Sequence, residues 1–180
     1  MRISTALLLG LAASAAVIGC SSTTPSDVQQ ARLTAAIARW ASNGRPDYEL
    51  QLAWSCGECP PESSHLLRIT VQDGQVTEAF DVTANQTIAP NARTLTVVEL
   101  YAYIQQALDD RVYLLSTEYD ETLGYPISVS VDRDANAVDD EGGFQVISLQ
   151  LTPSALSPRR ASSQPPVVER PGRLTSGSDE

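Results

Sequence analysis

The stretch Tyr48-Glu-Leu-Gln-Leu-Ala-Trp-Ser-Cys-Gly-Glu-Cys-Pro-Pro61 decides how the rest of the chain is read. Its residues alternate in polarity: Tyr48, Leu50, Leu52, Trp54 and Cys56 share one face, and Glu49, Gln51 and Ser55 take the other. A period of two places one face of a strand on a core and the other in water. Pro60-Pro61 cannot donate to a ladder, so the strand stops in a turn that carries Cys56 and Cys59.

Working toward the N-terminus, Met1-Arg2 is followed by an apolar run, Ile3 to Ile18, rich in Leu and Ala. The run is short for a membrane span and fits a secretory signal. It ends in Val17-Ile18-Gly19-Cys20, which resembles the lipobox of bacterial lipoproteins. That resemblance implies removal of residues 1–19 and lipidation of the Cys20 thiol, with the exported domain held on a cell-envelope membrane. Because Ser21 and not Asp follows the cysteine, it also implies the periplasmic face of the outer membrane where the source has two membranes. The other reading is ordinary cleavage after Ala12-Ala13-Ser14-Ala15, with Cys20 incidental. Acyl chains hold a protein on a bilayer without spanning it, and residues 20–26 read as the lipidated tether.

The 180-residue chain has a formal net charge of −10, and its 12 basic residues are all arginine. Such an acidic surface repels nucleic acid and anionic headgroups, and it also serves simple solubility. Nucleic acid is therefore excluded as a partner, and no cofactor is expected.

Around the Tyr48–Pro61 stretch two helices and five more strands follow from pattern. Ser26 and Gln29 have the form of a capping box, with Leu33, Ile37, Trp40 and Ala41 recurring behind it at helical spacing. Asn43-Gly44 ends that helix with a pair tolerant of left-handed geometry. Leu67, Ile69 and Val71 alternate up to Asp73-Gly74, a hairpin signal, and return as Val76, Glu78, Phe80 and Val82. A two-residue turn sets Val71 opposite Val76, Ile69 opposite Glu78 and Leu67 opposite Phe80, with Glu78 in water at an edge. Residues 84–93 read as a polar loop. Thr96 and Glu99 form a second capping box, before the stripe Leu100, Ile104, Ala107 and Leu108. Runs at 112–119, 127–131 and 144–151 complete six strands, and residues 153–180, rich in Pro, Ser and Arg, read as disordered. The expected architecture is a single α+β domain over residues 27–152, an antiparallel sheet of about six strands with two helices on one face. Helix and three strands, twice over, suggest a duplicated αβββ unit.

Three constellations bear on chemistry. Once Cys20 is lipidated, Cys56 and Cys59 are an even pair in an oxidising compartment and point to a disulfide, which in so short a loop adds about 2 kcal/mol. A thiol-redox pair is the alternative, but the helix N-terminus that would lower a thiol pKa is missing from the pattern. Zinc would have only His65 beside the pair. Asp132, Asp134 and Asn136, with Asp139, Asp140 and Glu141 after them, match the first ligand positions of a calcium loop. Ala137 and Gly143 stand where that loop needs glycine and a bidentate glutamate, so an acidic hairpin loop is the plainer reading. Finally, Tyr119, Asp120, Gly124, Tyr125 and Pro126 form a turn in which Asp120 bonds backbone amides and Gly124 takes positive φ. Its two tyrosines are a candidate contact surface. His65 beside Ser63 and Ser64 does not make a nucleophile and base, and no phosphate-cradling glycine loop occurs.

Taken together, Arg39-Trp40, Asp47 to Leu50, Ser55 to Pro60, Val71 to Gly74, Thr96 to Leu100, Tyr119-Asp120, Gly124 to Pro126 and Val131-Asp132 resemble a bacterial lipoprotein family. It is the domain-of-unknown-function family six-one-seven-four, in which the cysteines often stand one residue closer. The resemblance covers about residues 39–141 and implies an exported, membrane-tethered small domain. The functional expectation is a non-catalytic envelope lipoprotein that binds another envelope protein or the cell wall. The alternative is a thiol-redox or calcium-responsive envelope protein.

Overall fold

The strand read from Tyr48 onward lies at the centre of a seven-stranded antiparallel sheet, in a computed structural model that describes residues 24–137 and 140–152. The stretch 1–19 read as a signal, Cys20, Asp139 and the segment 153–180 lie outside those residues. The chain runs through α1 (Pro25–Asn43), β1 (Tyr48–Cys56), a 3₁₀ turn (Pro61–Ser64), β2 (Leu66–Gln72), β3 (Gln75–Asp81) and β4 (Gln86–Ile88). It continues through α2 (Val97–Asp109), β5 (Leu114–Tyr119), β6 (Pro126–Asp132) and β7 (Gly142–Leu151). The strand order is β4-β3-β2-β1-β7-β6-β5. Tyr48, Leu50 and Leu52 of β1 meet Leu33 and Ala36 of α1 and Leu100 and Ile104 of α2 in one buried cluster, so both helices cover the same face.

The count is seven strands and not six because β4 forms inside the loop read as polar. Asn85 turns the chain with φ 52, Asp81 Oδ1 accepts from Ala84 N at 2.8 Å, and residues 86–88 pair with Asp81, Phe80 and Ala79. Three residues are too few to show a period. The strand after α1 lies at the sheet's centre and the strand after α2 at its edge, so the order lends no support to a repeated helix–three-strand unit.

The first helix is capped two residues earlier than the pattern indicated. Thr24 and not Ser26 is the N-cap, and Asp27, not Gln29, closes the capping box. Pro25 occupies the first helical position, where its fixed φ and missing donor cost nothing. Gln29 instead ties the helix to β5, donating to Leu115 O at 3.1 Å and accepting from Thr117 Oγ1 at 2.8 Å. The buried stripe is Leu33 and Ala36, with Trp40 half-buried, while Ile37 is 43% exposed and Ala41 also faces water. Gly44 is extended (φ −68) and not left-handed. It is glycine because a Cβ there would stand 2.6 Å from the Trp40 ring, whose edge packs against Tyr48.

The Asp73-Gly74 turn has positive φ at both residues, 50 and 74, the primed geometry of a two-residue hairpin. Val71 pairs with Val76 as read, but a bulge then shifts the register, putting Ile69 opposite Ala79 and Leu67 opposite Asp81. Glu78 faces water, and Phe80 moves to the open face under the Arg68 guanidinium, 4.8 Å from its centroid. The bulge therefore carries Asp81 into the core.

The second helix keeps its Thr96–Glu99 capping box. Its first amide, Val97 N, donates to the buried Tyr48 hydroxyl at 2.8 Å, and burial pushes that phenol up to about 12. At the other end Arg111 N donates to Leu108 O and Val112 N to Ala107 O, the paired bonds of a Schellman motif. Arg111 sits at φ 54 where glycine is usual, and this closing turn delays β5 to Leu114.

Two left-handed positions make opposite predictions. Arg111→Gly relieves an unfavourable backbone conformation and should raise stability by about 1 kcal/mol. At Gly124, φ is +89 and a Cβ would lie 2.4 Å from Ala36 O, so Gly124→Ala should cost about 2–3 kcal/mol. Urea unfolding should show the midpoints moving in opposite directions at unchanged slope.

Candidate functional site

Two motifs that are separate in sequence meet at one end of the sheet. Cys56 and Cys59 are joined in a disulfide, Cα to Cα 5.7 Å. Gly57 N, inside that turn, donates to Glu141 O of the acidic loop at 3.0 Å. Between them lies a cleft of about 350 Å³, walled by the disulfide turn with Glu58, by Arg93 and Arg133, and by Asp140 and Glu141. Its floor is aromatic: Trp54, Tyr103 and Phe144 pack edge-on with centroids 5.4 to 5.7 Å apart, and Trp54 and Tyr103 line the cleft. The Trp54 indole donates to Arg93 O at 2.8 Å, and the Arg93 guanidinium donates to Glu62 O of the 3₁₀ turn. The wall is thus fixed by one covalent bond and two hydrogen bonds reaching across the sequence.

The acidic loop does not take the form of a calcium hand. It is entered from β6 and not from a helix, and its candidate ligands bond to one another. Asn136 donates from its backbone and side-chain nitrogens to Asp134 Oδ1 at 3.0 and 3.1 Å, and Asp134 N donates to Asp140 Oδ2 at 2.8 Å. Among the described residues no group of three or more His, Cys, Asp or Glu side chains is placed to hold a metal ion. Yet one buried oxygen of Asp132 and one of Asp140 have no hydrogen-bond partner among those residues. Burial, then the charges of Asp140 and Glu141, push the Asp132 carboxyl above its usual range.

The Tyr119–Pro126 turn occupies the opposite end, where it clasps α1 and leaves little open surface. Asp120 Oδ1 accepts from Thr122 N and Leu123 N at 3.0 and 2.6 Å, as the sequence indicated. The Tyr101 hydroxyl donates to Gly124 O at 2.9 Å, and Asn43 Nδ2 to Thr122 O at 2.8 Å. Gly124 and Pro126 are buried, and Tyr119 and Tyr125 are half-buried with no ring–ring contact between them. Close approach to the helix at Ala36 explains why this turn needs its glycine.

Sequence reading missed the pair His65–Asp81. Its Nδ1–H donates to Asp81 Oδ2 at 2.7 Å, with the aspartate side chain only 6% exposed. The one signal available was that an inward-facing carboxylate demands a partner, and the β-bulge hid its inward position. The pair fixes the end of the 3₁₀ turn to β3, beside the cleft wall. Ser64 Oγ donates to Pro61 O at 2.9 Å and is not directed at the histidine.

Residues 32–151 match the model of a family of unknown function, DUF6174. The chain belongs to this family. The match begins inside α1 and closes on the last residue of β7, so the DUF6174 unit includes every strand of the sheet and both walls of the cleft. No curated protein matches the chain.

Burial alone would raise the Asp81 carboxyl, but the Ala84 amide and His65 hold it below its usual range. A carboxylate depressed in the folded state stabilises above its unfolded pKa, near 3.9, and that stability is lost as pH falls through the folded value. Asp81→Asn should therefore cost about 1–3 kcal/mol at pH 7. The deficit should shrink as pH falls below the unfolded value and through the folded one, as read by urea unfolding across that range.

Proposed function

We propose that this DUF6174 domain is a non-catalytic binding module of the cell envelope, held by lipid on Cys20. Where the source has two membranes, it sits on the periplasmic face of the outer membrane. Its recognition site is the cleft between the disulfide turn and the acidic loop. The observation that carries this reading is the Gly57–Glu141 hydrogen bond, which joins a covalently fixed turn to a carboxylate-rich loop over an aromatic floor. Rigid walls reduce the ordering cost of binding, and aromatic side chains offer large contact area with few rotatable bonds. Glu58, Asp140 and Glu141 favour a ligand segment bearing positive charge, and Arg93 and Arg133 hold acceptors at its rim. An extended segment of an envelope protein or a cell-wall peptide has that chemistry. Among the described residues no helix is long and apolar enough to cross a membrane, in keeping with attachment through the N-terminal lipid.

A photo-crosslinking residue at Glu58, in the lipidated chain in its own envelope, should give a discrete adduct that the same probe at Gln75 does not. Replacing both Cys56 and Cys59 by serine should abolish it. Equal adducts at the two positions would remove the cleft from consideration.

A second reading, calcium responsiveness, is favoured by the unpartnered oxygens of Asp132 and Asp140. Under it, millimolar calcium raises the melting temperature relative to chelator, and Asp132→Asn abolishes the rise. In chelator the same variant should melt higher than the native chain at pH 7, because a carboxyl raised in the folded state destabilises while it is charged. A melting temperature blind to calcium in both proteins discards this reading.

A further inference from the structure

A second cleft, of about 510 Å³, opens where α1 begins and α2 ends. It is lined by Thr24, Pro25, Leu108, Arg111, Tyr113 and Leu114, among others. Two of its lining residues are exposed apolar side chains, Tyr113 at 66% and Leu114 at 57%, and Val28, between the lining residues Asp27 and Gln29, is 40% exposed. Large apolar groups gathered at one place on a surface mark an interaction site, where scattered ones do not.

We infer that this surface rests on zwitterionic phospholipid, with Val28, Tyr113 and Leu114 entering the headgroup boundary and Arg111 meeting lipid phosphate. The inference rests on the lipoprotein reading of Cys20. Its first support is distance. The four peptide links from Cys20 to Thr24 span at most about 14 Å when fully extended, and Thr24 itself lines the cleft. Whatever holds Cys20 to a bilayer holds this end of the domain within reach of the same bilayer.

The second support is chemistry. A tyrosine beside aliphatic side chains, with an arginine whose stem can lie along apolar surface while its head stays polar, suits a membrane–water boundary. The carboxylates at this end, Asp27, Asp109 and Asp110, would be repelled by anionic lipid, which is why the proposal names zwitterionic lipid. The third support is Arg111 itself. It holds a left-handed position that glycine would fill without strain, so the side chain is kept there against the backbone's preference.

Three side chains bury too little area to hold a free domain on a bilayer, but the lipid tether turns docking into an intramolecular step at high effective concentration. The contact therefore sets orientation, not attachment. Leu114 pairs with Asp132, Val131 with Gly142, and Gly142 with Cys56, so this surface and the cleft by the disulfide share one end of the sheet. Docking would bring the recognition cleft close to the membrane plane.

The test uses the full lipidated chain in phosphatidylcholine vesicles containing lipids brominated on their acyl chains. A small apolar fluorophore is placed on Leu114→Cys, or on Gln75→Cys at the opposite end, and the intact mass reports acylation of Cys20. Quenching at position 114 at least several-fold greater than at 75, reduced by Val28→Ser with Tyr113→Ser and by Arg111→Gly, is the expected result. If Cys20 is acylated and the two positions quench alike, the docking surface is refuted while the lipid anchor stands. Acyl-free Cys20 in the membrane fraction overturns both. Adducts of a photo-crosslinker at Leu114 with protein, in place of lipid quenching, refute the lipid surface in favour of a protein one.

Discussion

The structure depends on β1 being hydrogen-bonded along both edges. Tyr48 to Ala53 pair with β2 on one side, and Tyr48 to Cys56 pair with β7 on the other. The β2 contact is local and follows from a short connection. The β7 contact joins Tyr48 to Leu151 across nearly the whole domain, and loop-closure entropy must be met before it forms. It is also the contact that unites the two halves of the sheet, since β5 and β6 reach β1 only through β7. A bulge makes it workable. Phe144 and Val146 are out of phase with Leu149 and Leu151 for a strand of strict period two. The register shift opposite Gln51 and Leu52 sets Ile147 aside, 51% exposed, and lets both pairs face the core.

This explains which parts of the fold could be read from sequence. Where one local rule acts alone, the reading held: the alternation of β1, the Asp73-Gly74 turn and the Thr96–Glu99 box all stand as written. Where two local solutions compete, tertiary contacts choose. Thr24 with Asp27 and Ser26 with Gln29 are both acceptable caps, and Gln29 is needed at Leu115 and Thr117, so the earlier cap wins. Bulges leave little trace in composition, and the one near Val71 hid both the inward Asp81 and its partner, which is sixteen residues away. Likewise nothing in the spacing of Cys59 and Glu141 announces that their loops meet, because the β1–β7 register alone brings them together.

The two ends of the sheet are built differently. At the Tyr119–Pro126 end the backbone of the turn is matched within the fold, Asp120 bonding two amides, Gly124 O bonding Tyr101 and Thr122 O bonding Asn43, while the buried Tyr119 hydroxyl and Arg39 Nε have no partner among the described residues. Helix, turn and strand lock each other there, and an aromatic pair that looked free in sequence is part of the lock. At the other end the unmatched groups are carboxylates. Asp132 and Asp140 keep buried oxygens without partners among the described residues, and the Arg111 backbone sits in an unfavourable well.

Buried carboxylate oxygens left unmatched call for a physical reason, because buried charge left alone destabilises more than a neutral polar group does. Here the reason is shared position. The register of four strands, β1, β7, β6 and β5, fixes the disulfide turn, the acidic loop and the start of β5 along one edge of the molecule. The disulfide, the Arg93 bonds and the His65–Asp81 pair all brace that edge from the β1–β2 side. The acidic loop opposite them is held among the described residues by Asp134 N on Asp140 Oδ2 and Gly57 N on Glu141 O, and its carboxylates repel one another. A rigid wall facing an electrostatically unsettled one is the arrangement in which an incoming positive group has most to stabilise. The proposed recognition site therefore follows from where the fold gathers carboxylate charge that it does not balance.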